Sequence, residues 1–458
     1  MVELLKAIDD VSKKKLNVSD LLDIIVKEAF VRKASDIHIE ARQGNNLLIR
    51  YRIDGILRDI VTIGNNLEES ILFIIKVRAK LRTDIHFAPQ DGKILFSFRN
   101  DEFEVKKKEE KEEGKKKEEP KEEKKKGEKE EEKEQVVEKE IPKEPVEEFS
   151  KIDARISILP VTFGEKVVIR LLSQTNRTFG LADLGFEPDD LEKVEASYRE
   201  PYGLILSTGP TGSGKTTTLY SILKILNTRD VNITTIEDPV EYNILGVNHI
   251  QINTKSDLTF ANGLRSILRQ DPNIIMVGEI RDTETARITV NSALTGHLVL
   301  STVHANDAIS AIPRLIDMGI EPFLVASTVN IIVSQRLARR LCDECKTEYV
   351  IGKDEQHKDM LKLRPDLAKY LDTNDKLYRA NGCSKCDNTG YSGRIGLYEI
   401  LRTNKEIRDV IITAPNTDNI YAAAKKHGFK LMIEDGIHKL KKGVIDLEEL
   451  MRVVAIKE

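Results

Sequence analysis

The stretch GPTGSGKTTT, residues 209–218, follows the apolar run LILST and opens the helical pattern TTTLYSILKIL. Gly209, Gly214, Lys215 and Thr216 satisfy the signature G-x-x-x-x-G-K-[ST], with a strand before it and a helix after it. Gly209, Pro210, Thr211, Gly212, Ser213, Gly214, Lys215, Thr216 and Thr217 are therefore expected to hold ATP. The glycines let backbone N–H groups converge on phosphate oxygens at a helix N-terminus, where the dipole also favours anions. Lys215 is placed to reach the β- and γ-phosphates and Thr216 to hold Mg²⁺. Strands and helices alternate outward from this loop to about residue 340, the pattern of an α/β fold with a mostly parallel sheet.

A phosphate loop of this kind needs acids. In NIIMVGEIRD, residues 273–282, Glu279 leaves a buried strand near its C-terminal end, where open α/β sheets bind ligands. NITTIEDPVEY ends a second strand in Glu237 and Asp238. Together they offer one carboxylate for Mg²⁺ and one for the attacking water, although each alone reads better as a cap or ion-pair partner. TGHLVLSTVHAND sets His297 and His304 seven residues apart around a strand, and their spacing leaves structural and catalytic roles open.

Upstream, LLDIIVKEAFVRKA has helical spacing and SDIHIEARQGNNLLIRYRIDGIL alternates, so a helix followed by a β-meander is expected. Residues 106–140 contain 14 Lys and 15 Glu in 35 positions. Such a segment buries too little apolar surface to offset its ordering entropy and reads as a solvated tether, with a docking arm as the alternative. DGKILFSF before it and SKIDARISIL after it both alternate, so the tether is expected to interrupt one hairpin. The net charge of −4 exerts no global pull on nucleic acid or anionic lipid. The charged N-terminus and the lack of an eighteen-residue apolar run predict a cytoplasmic chain without a signal peptide or membrane span.

The four cysteines fall in two C-x-x-C pairs, Cys342/Cys345 and Cys383/Cys386, 37 residues apart. Four thiolates suit a closed, structural tetrahedral Zn²⁺ site, and redox dithiols are the rival reading.

Taken in order, ASDIHIE, PQDGKI, RISILPVTFGEKVVIRLL, GPTGSGKTTT, TIEDPVEY, LRQDPNIIMVGEIRD and TGHLVLSTVHAND resemble the secretion ATPases that assemble type II secretion pseudopili and type IV pili. The resemblance implies a RecA-like ATPase domain preceded by a smaller α+β, PAS-like domain, with a zinc module and a helical tail. The expected boundaries are 1–175 for the first domain, with the charged insertion at about 104–149, then 176–340, 341–400 and 401–458. It implies further that Glu237 orients the attacking water, that Glu279 works at Mg²⁺, and that His297 and His304 sense phosphate. Arg155 and Arg170, otherwise ordinary strand-surface cations, are implied to approach the phosphates when the first domain closes. A homo-hexamer acting on the cytoplasmic domain of an inner-membrane platform protein, recruited to the inner face of the membrane, completes the expectation. The tetracysteine pattern favours the assembly branch over the retraction branch. The extra N-terminal domain frequent in this family is expected to be missing, and the tether departs from the family pattern. The competing functions are a DNA-uptake or conjugation motor and an ATP-gated scaffold. No concentrated basic stripe with interleaved aromatics supports the first, so no nucleic acid partner is expected. Paired acids argue against the second.

Overall fold

The computed structural model describes residues 2–13, 15–44, 46–64, 67–99, 149–172 and 180–454. The chain divides into two compact units, Met1–Thr175 and Asn176–Glu458.

In the first unit, α1 (Val2–Ser12) and α2 (Val18–Val31) precede the meander β1 (Ala34–Arg42), β2 (Asn46–Ile53) and β3 (Ile56–Ile63). Asn17 caps α2 by accepting the Asp20 N–H at 2.8 Å, satisfying one orphan donor of its first turn. Leu21, Leu22, Ile25, Val26 and Ala29 are buried along one side of α2. They share a core with Ile37 and Ile39 of β1, while the alternate residues Asp36, His38 and Glu40 occupy the other face of the strand. After α3 (Glu68–Arg78) come β4 (Gln90–Arg99), β5 (Phe149–Val161) and β6 (Gly164–Leu172), completing an antiparallel sheet of order β3-β2-β1-β6-β5-β4. The register of β4 on β5 runs from Gln90↔Ile158 to Arg99↔Phe149. The flanks of the charged insertion are thus two strands of one hairpin. The insertion, expected at about 104–149, lies outside the described residues except at Phe149.

The second unit is built on β7 (Gly203–Thr208), β8 (Ile233–Glu237), β9 (Asn248–Gln251), β10 (Ile274–Ile280), β11 (Leu298–Val303) and β12 (Val329–Leu341). A separate two-stranded ribbon, β13 (Thr347–Val350) with β14 (Lys376–Arg379), precedes β15 (Tyr391–Arg402). The seven-stranded sheet has the order β15-β12-β7-β11-β10-β8-β9; β15 pairs antiparallel and its other neighbours pair parallel. The alternation of buried strands fills both faces. Leu204, Leu206, Ile236, Ile275 and Val277 pack with Leu264, Ile267, Ala286 and Val290 on one side. Ile205, Ile233 and Met276 pack with Leu219, Tyr220, Ile222 and Leu223 on the other. Full burial of each aliphatic side chain contributes about 1.5–3 kcal/mol.

One consequence concerns residues 391–400, which the sequence reading assigns to the cysteine module. They belong to β15, with Tyr391 opposite Leu341 and Ile400 opposite Val333, so the chain leaves the central sheet at β12 and returns to it at β15.

Candidate nucleotide site and metal centre

Because β7, β8, β10 and β11 are parallel, their C-terminal ends gather at one edge of the sheet, and the sequence signatures lie there. The loop after Thr208 turns through Gly209 and Gly214, with φ of 138° and 90°, into the helix Lys215–Leu226. A Cβ at Gly209 would collide with the Gln335 carbonyl oxygen, and one at Gly214 would lie 2.9 Å from Gln335 Nε2. Only glycine combines these backbone angles with this approach. Lys215 Nζ donates to the carbonyl oxygens of Gly209 and Pro210 at 2.9 and 3.0 Å. Burial pushes its pKa below the usual lysine value, opposed by the charge of Glu279. Pro210, Thr211 and Gly212 are exposed, Ser213 is buried, and Thr216 and Thr217 are half-buried in the first helical turn. A cavity of about 530 Å³ beside the loop is lined by Gly209, Pro210, His304, Asn306, Arg314 and Arg336, among others.

Glu279 reaches this cavity through His304, which lines it. Its carboxylate, 14% exposed, meets Arg281 Nη2 at 2.5 Å and His304 Nε2 at 3.2 Å. The hydrogen bond to Glu279 raises the Arg281 pKa, and the charge of Asp238 adds to the effect. Thr208 Oγ1 donates to the Ala305 carbonyl at 2.8 Å and accepts its N–H at 3.0 Å, fixing the His304 loop to the end of β7.

Glu237 has different surroundings from those its expected role requires. It is 2% exposed. Tyr220 Oη donates to one carboxylate oxygen, Thr235 Oγ1 donates to the other at 2.5 Å, and His249 Nδ1 lies 2.9 Å from that second oxygen. Desolvation and the Glu237 charge push the Tyr220 pKa far up, so its phenol stays a donor. A carboxylate held by these three partners has no direct access to water. On the loop that follows, Asp238 is exposed and Glu241 half-buried.

The two histidines separate. His304 lies just beyond the C-terminal end of β11, but His297 lies before its start, where its carbonyl accepts the Gly203 N–H at 3.1 Å. Seven residues of extended chain span about 23 Å. His297 Nδ1 meets the Ser292 carbonyl at 3.0 Å, at the edge of the sheet opposite the phosphate loop. A strand between two residues puts them at opposite ends, so the pair does not form one site within this chain.

Arg155 and Arg170 are directly opposite each other on β5 and β6 of the first unit. Arg170 Nε donates to Asp36 Oδ1 at 3.0 Å, and Arg155 is half-buried.

The four cysteines converge as their spacing predicts. Their Sγ atoms lie within 4.8 Å of one another, with Cys342–Cys383, Cys345–Cys386 and Cys383–Cys386 at 3.9, 3.8 and 3.7 Å. A tetrahedron with Zn–S bonds of about 2.3 Å has edges of about 3.8 Å, so the donor set fits zinc in number, element and spacing. The Gly382 N–H donates to Cys345 Sγ at 3.3 Å, and those of Cys383 and Gly390 donate to Cys386 Sγ at 3.2 Å. Burial opposes ionisation of Cys386, but these N–H groups hold its thiol at about 6.

Sequence reasoning missed Arg314 and Arg336, which line the cavity beside the loop, Arg281, which pairs with Glu279, and Gln335, which touches the loop. Arg281 sits inside GEIRD and was legible there; the other three follow no spacing that ties them to the glycines.

The type II/IV secretion system protein family model matches residues 11–108 and 129–452, leaving out a stretch within the charged insertion. The type IV pilus assembly ATPase PilB of Thermus thermophilus is 38% identical over 433 residues, covering 93% of this chain and 42% of that protein. The type II secretion system protein E of Aeromonas hydrophila is 39% identical over 433 residues, covering 94% of this chain and 75% of that one. In fold, the ATPase DotB of Legionella pneumophila aligns with a TM-score of 0.60 at 20% identity, covering 94% of each chain. The phosphate loop, the acids and histidine at its edge, and the extent of these matches agree: the chain belongs to the type II/IV secretion system protein family.

Proposed function

We propose that this chain is an ATP-hydrolysing motor that drives assembly of a type II secretion pseudopilus or a type IV pilus. The observation that carries it is the meeting of the phosphate loop, Glu279, Arg281 and His304 at one sheet edge, in a chain whose relatives are named for those two systems. The second unit is a RecA-like ATPase domain and the first a PAS-like domain. Gly209 through Thr217 hold the triphosphate, with Lys215 on its β- and γ-oxygens, and the oxygens of Thr216 and Glu279 suit Mg²⁺. Water attacks the γ-phosphorus, the bond to the β–γ bridging oxygen breaks, and ADP leaves with the electron pair. The acid that orients this water belongs to the loop after β8, as Asp238 or Glu241, and buried Glu237 holds Tyr220, Thr235 and His249 in place. We propose Arg155 and Arg170 as further catalytic residues; replacing either with Ala should slow turnover by about 10³-fold with ATP still bound. Normal turnover in both variants removes them from the mechanism.

The motor acts as a homo-hexamer in the cytoplasm, recruited to the inner face of the membrane by the cytoplasmic domain of a platform protein. Among the described residues no helix is long and apolar enough to cross a membrane, which agrees with a peripheral placement. The deciding measurement is ATP turnover of the purified chain with that domain or with DNA. Stimulation by the domain is expected; stimulation by DNA alone would overturn the reading. The four cysteines hold one structural Zn²⁺, so Cys383→Ser should lose zinc by elemental analysis and open residues 342–390 to protease. A metal-free, protease-resistant module would contradict this.

A further inference from the structure

The structure assigns Gln335 as the positioning residue that sets the shape of the phosphate loop. This inference rests on the nucleotide reading of that loop. Strand β7 leaves the sheet at Thr208, opposite Ser334, while β12 continues to Leu341. Gln335 is thus the first residue of β12 with no β7 partner, at the point where the loop begins. It is 1% exposed. Its Nε2 donates to the Ser213 carbonyl at 2.7 Å, and its Oε1 accepts from Thr218 Oγ1 at 2.7 Å. One side chain therefore ties the loop before its last glycine to the helix after it. Its own carbonyl packs against Gly209 at the loop's start. Two points of the loop and one of the helix after it are referred to one residue, and that residue lies more than a hundred positions along the chain.

Positioning acts on binding and turnover together, because misplaced backbone donors lose both ground-state and transition-state phosphate contacts. Such misplacement can cost up to about 10²-fold. Replacing the amide by an isosteric carboxylate keeps the acceptor for Thr218 and removes the donor to Ser213. The test measures Kd for fluorescent ADP, kcat and KM for ATP, and the unfolding midpoint of the full chain, for Gln335→Leu, Gln335→Glu and Thr218→Val. We expect Gln335→Leu and Gln335→Glu to raise Kd and lower kcat by at least about tenfold. We expect Thr218→Val to do less, and Gln335→Leu with Thr218→Val to fall short of additivity. A lowered unfolding midpoint with wild-type Kd and kcat would show a merely structural role and overturn the inference, as would additive effects. If Gln335→Leu does not fold, Gln335→Glu decides by the same criteria. A wild-type chain that binds no ADP would instead overturn the nucleotide reading itself.

Discussion

The C-terminal ends of β8 and β10 look alike in sequence and differ in what they do. Each is a buried strand with a glutamate as its last or next-to-last residue, and the strands are neighbours, in register from Ile233↔Ile274 to Ile236↔Val277. Glu237 continues the face of Ile233 and Thr235, toward the helix that carries Tyr220, and is enclosed there. Glu279 follows a shift in the β10–β11 register between Val277 and Ile280 and meets Arg281 and His304, the latter lining the cavity beside the loop. A strand-end acid is thus a proposal about an edge of the sheet. Which way the last side chain faces decides whether it meets ligand or core.

The comparison breaks most readily at the loop after β8. Asp238→Asn or Glu241→Gln should lower turnover by about 10²- to 10⁴-fold with ATP still bound, the range of a positioned base. Near-normal turnover in both variants would return the water-orienting role to Glu237. At the end of β10, Glu279→Gln should cost about 10²- to 10³-fold in turnover, since it removes charge where phosphate charge develops. A wild-type Mg²⁺ requirement and rate in that variant would take Glu279 out of the site.

Glu237→Gln sharpens the contrast from the buried side. It should destabilise the fold by about 1–3 kcal/mol, because an amide N–H₂ would face donors that now point at a carboxylate. Its turnover should fall by less than about tenfold, below the range of a positioned base. Lost turnover with an unchanged denaturation curve would reverse that assignment. The smallest effect is expected at the two histidines. His304→Asn should slow turnover several-fold, and His297→Asn, at the far end of β11, should change it by less than about twofold; surface changes away from such sites are usually small. Equal losses would mean that both reach phosphate, with His297 doing so from another copy of the chain.

Much of this molecule was legible before any coordinate. The phosphate loop is contiguous, so its glycines, lysine and threonine specify their own geometry. The cysteine pairs announce a tetrahedral cluster because C-x-x-C places two thiolates together and the fold has only to join the pairs. Alternation across DGKILFSF and SKIDARISIL exposed a hairpin through an intervening run of Lys and Glu, since a period of two marks half-buried strands wherever their partner lies.

What the tertiary structure decided is long-range. The enclosure of Glu237, the separation of His297 from His304, the return of residues 391–402 to the central sheet and the hold of Gln335 on the loop all depend on which strand lies beside which. Register sets the face that a strand's last side chain takes, and a slip of one residue reverses it. No local spacing encodes a partner 122 positions away, as Gln335 is from Ser213. Sequence by itself determined the chemistry these strand ends carry, because residue type and local period are written along the chain. The tertiary structure decided which of those groups lie beside the glycine-rich loop and which turn into the core, because facing is a property of packed strands.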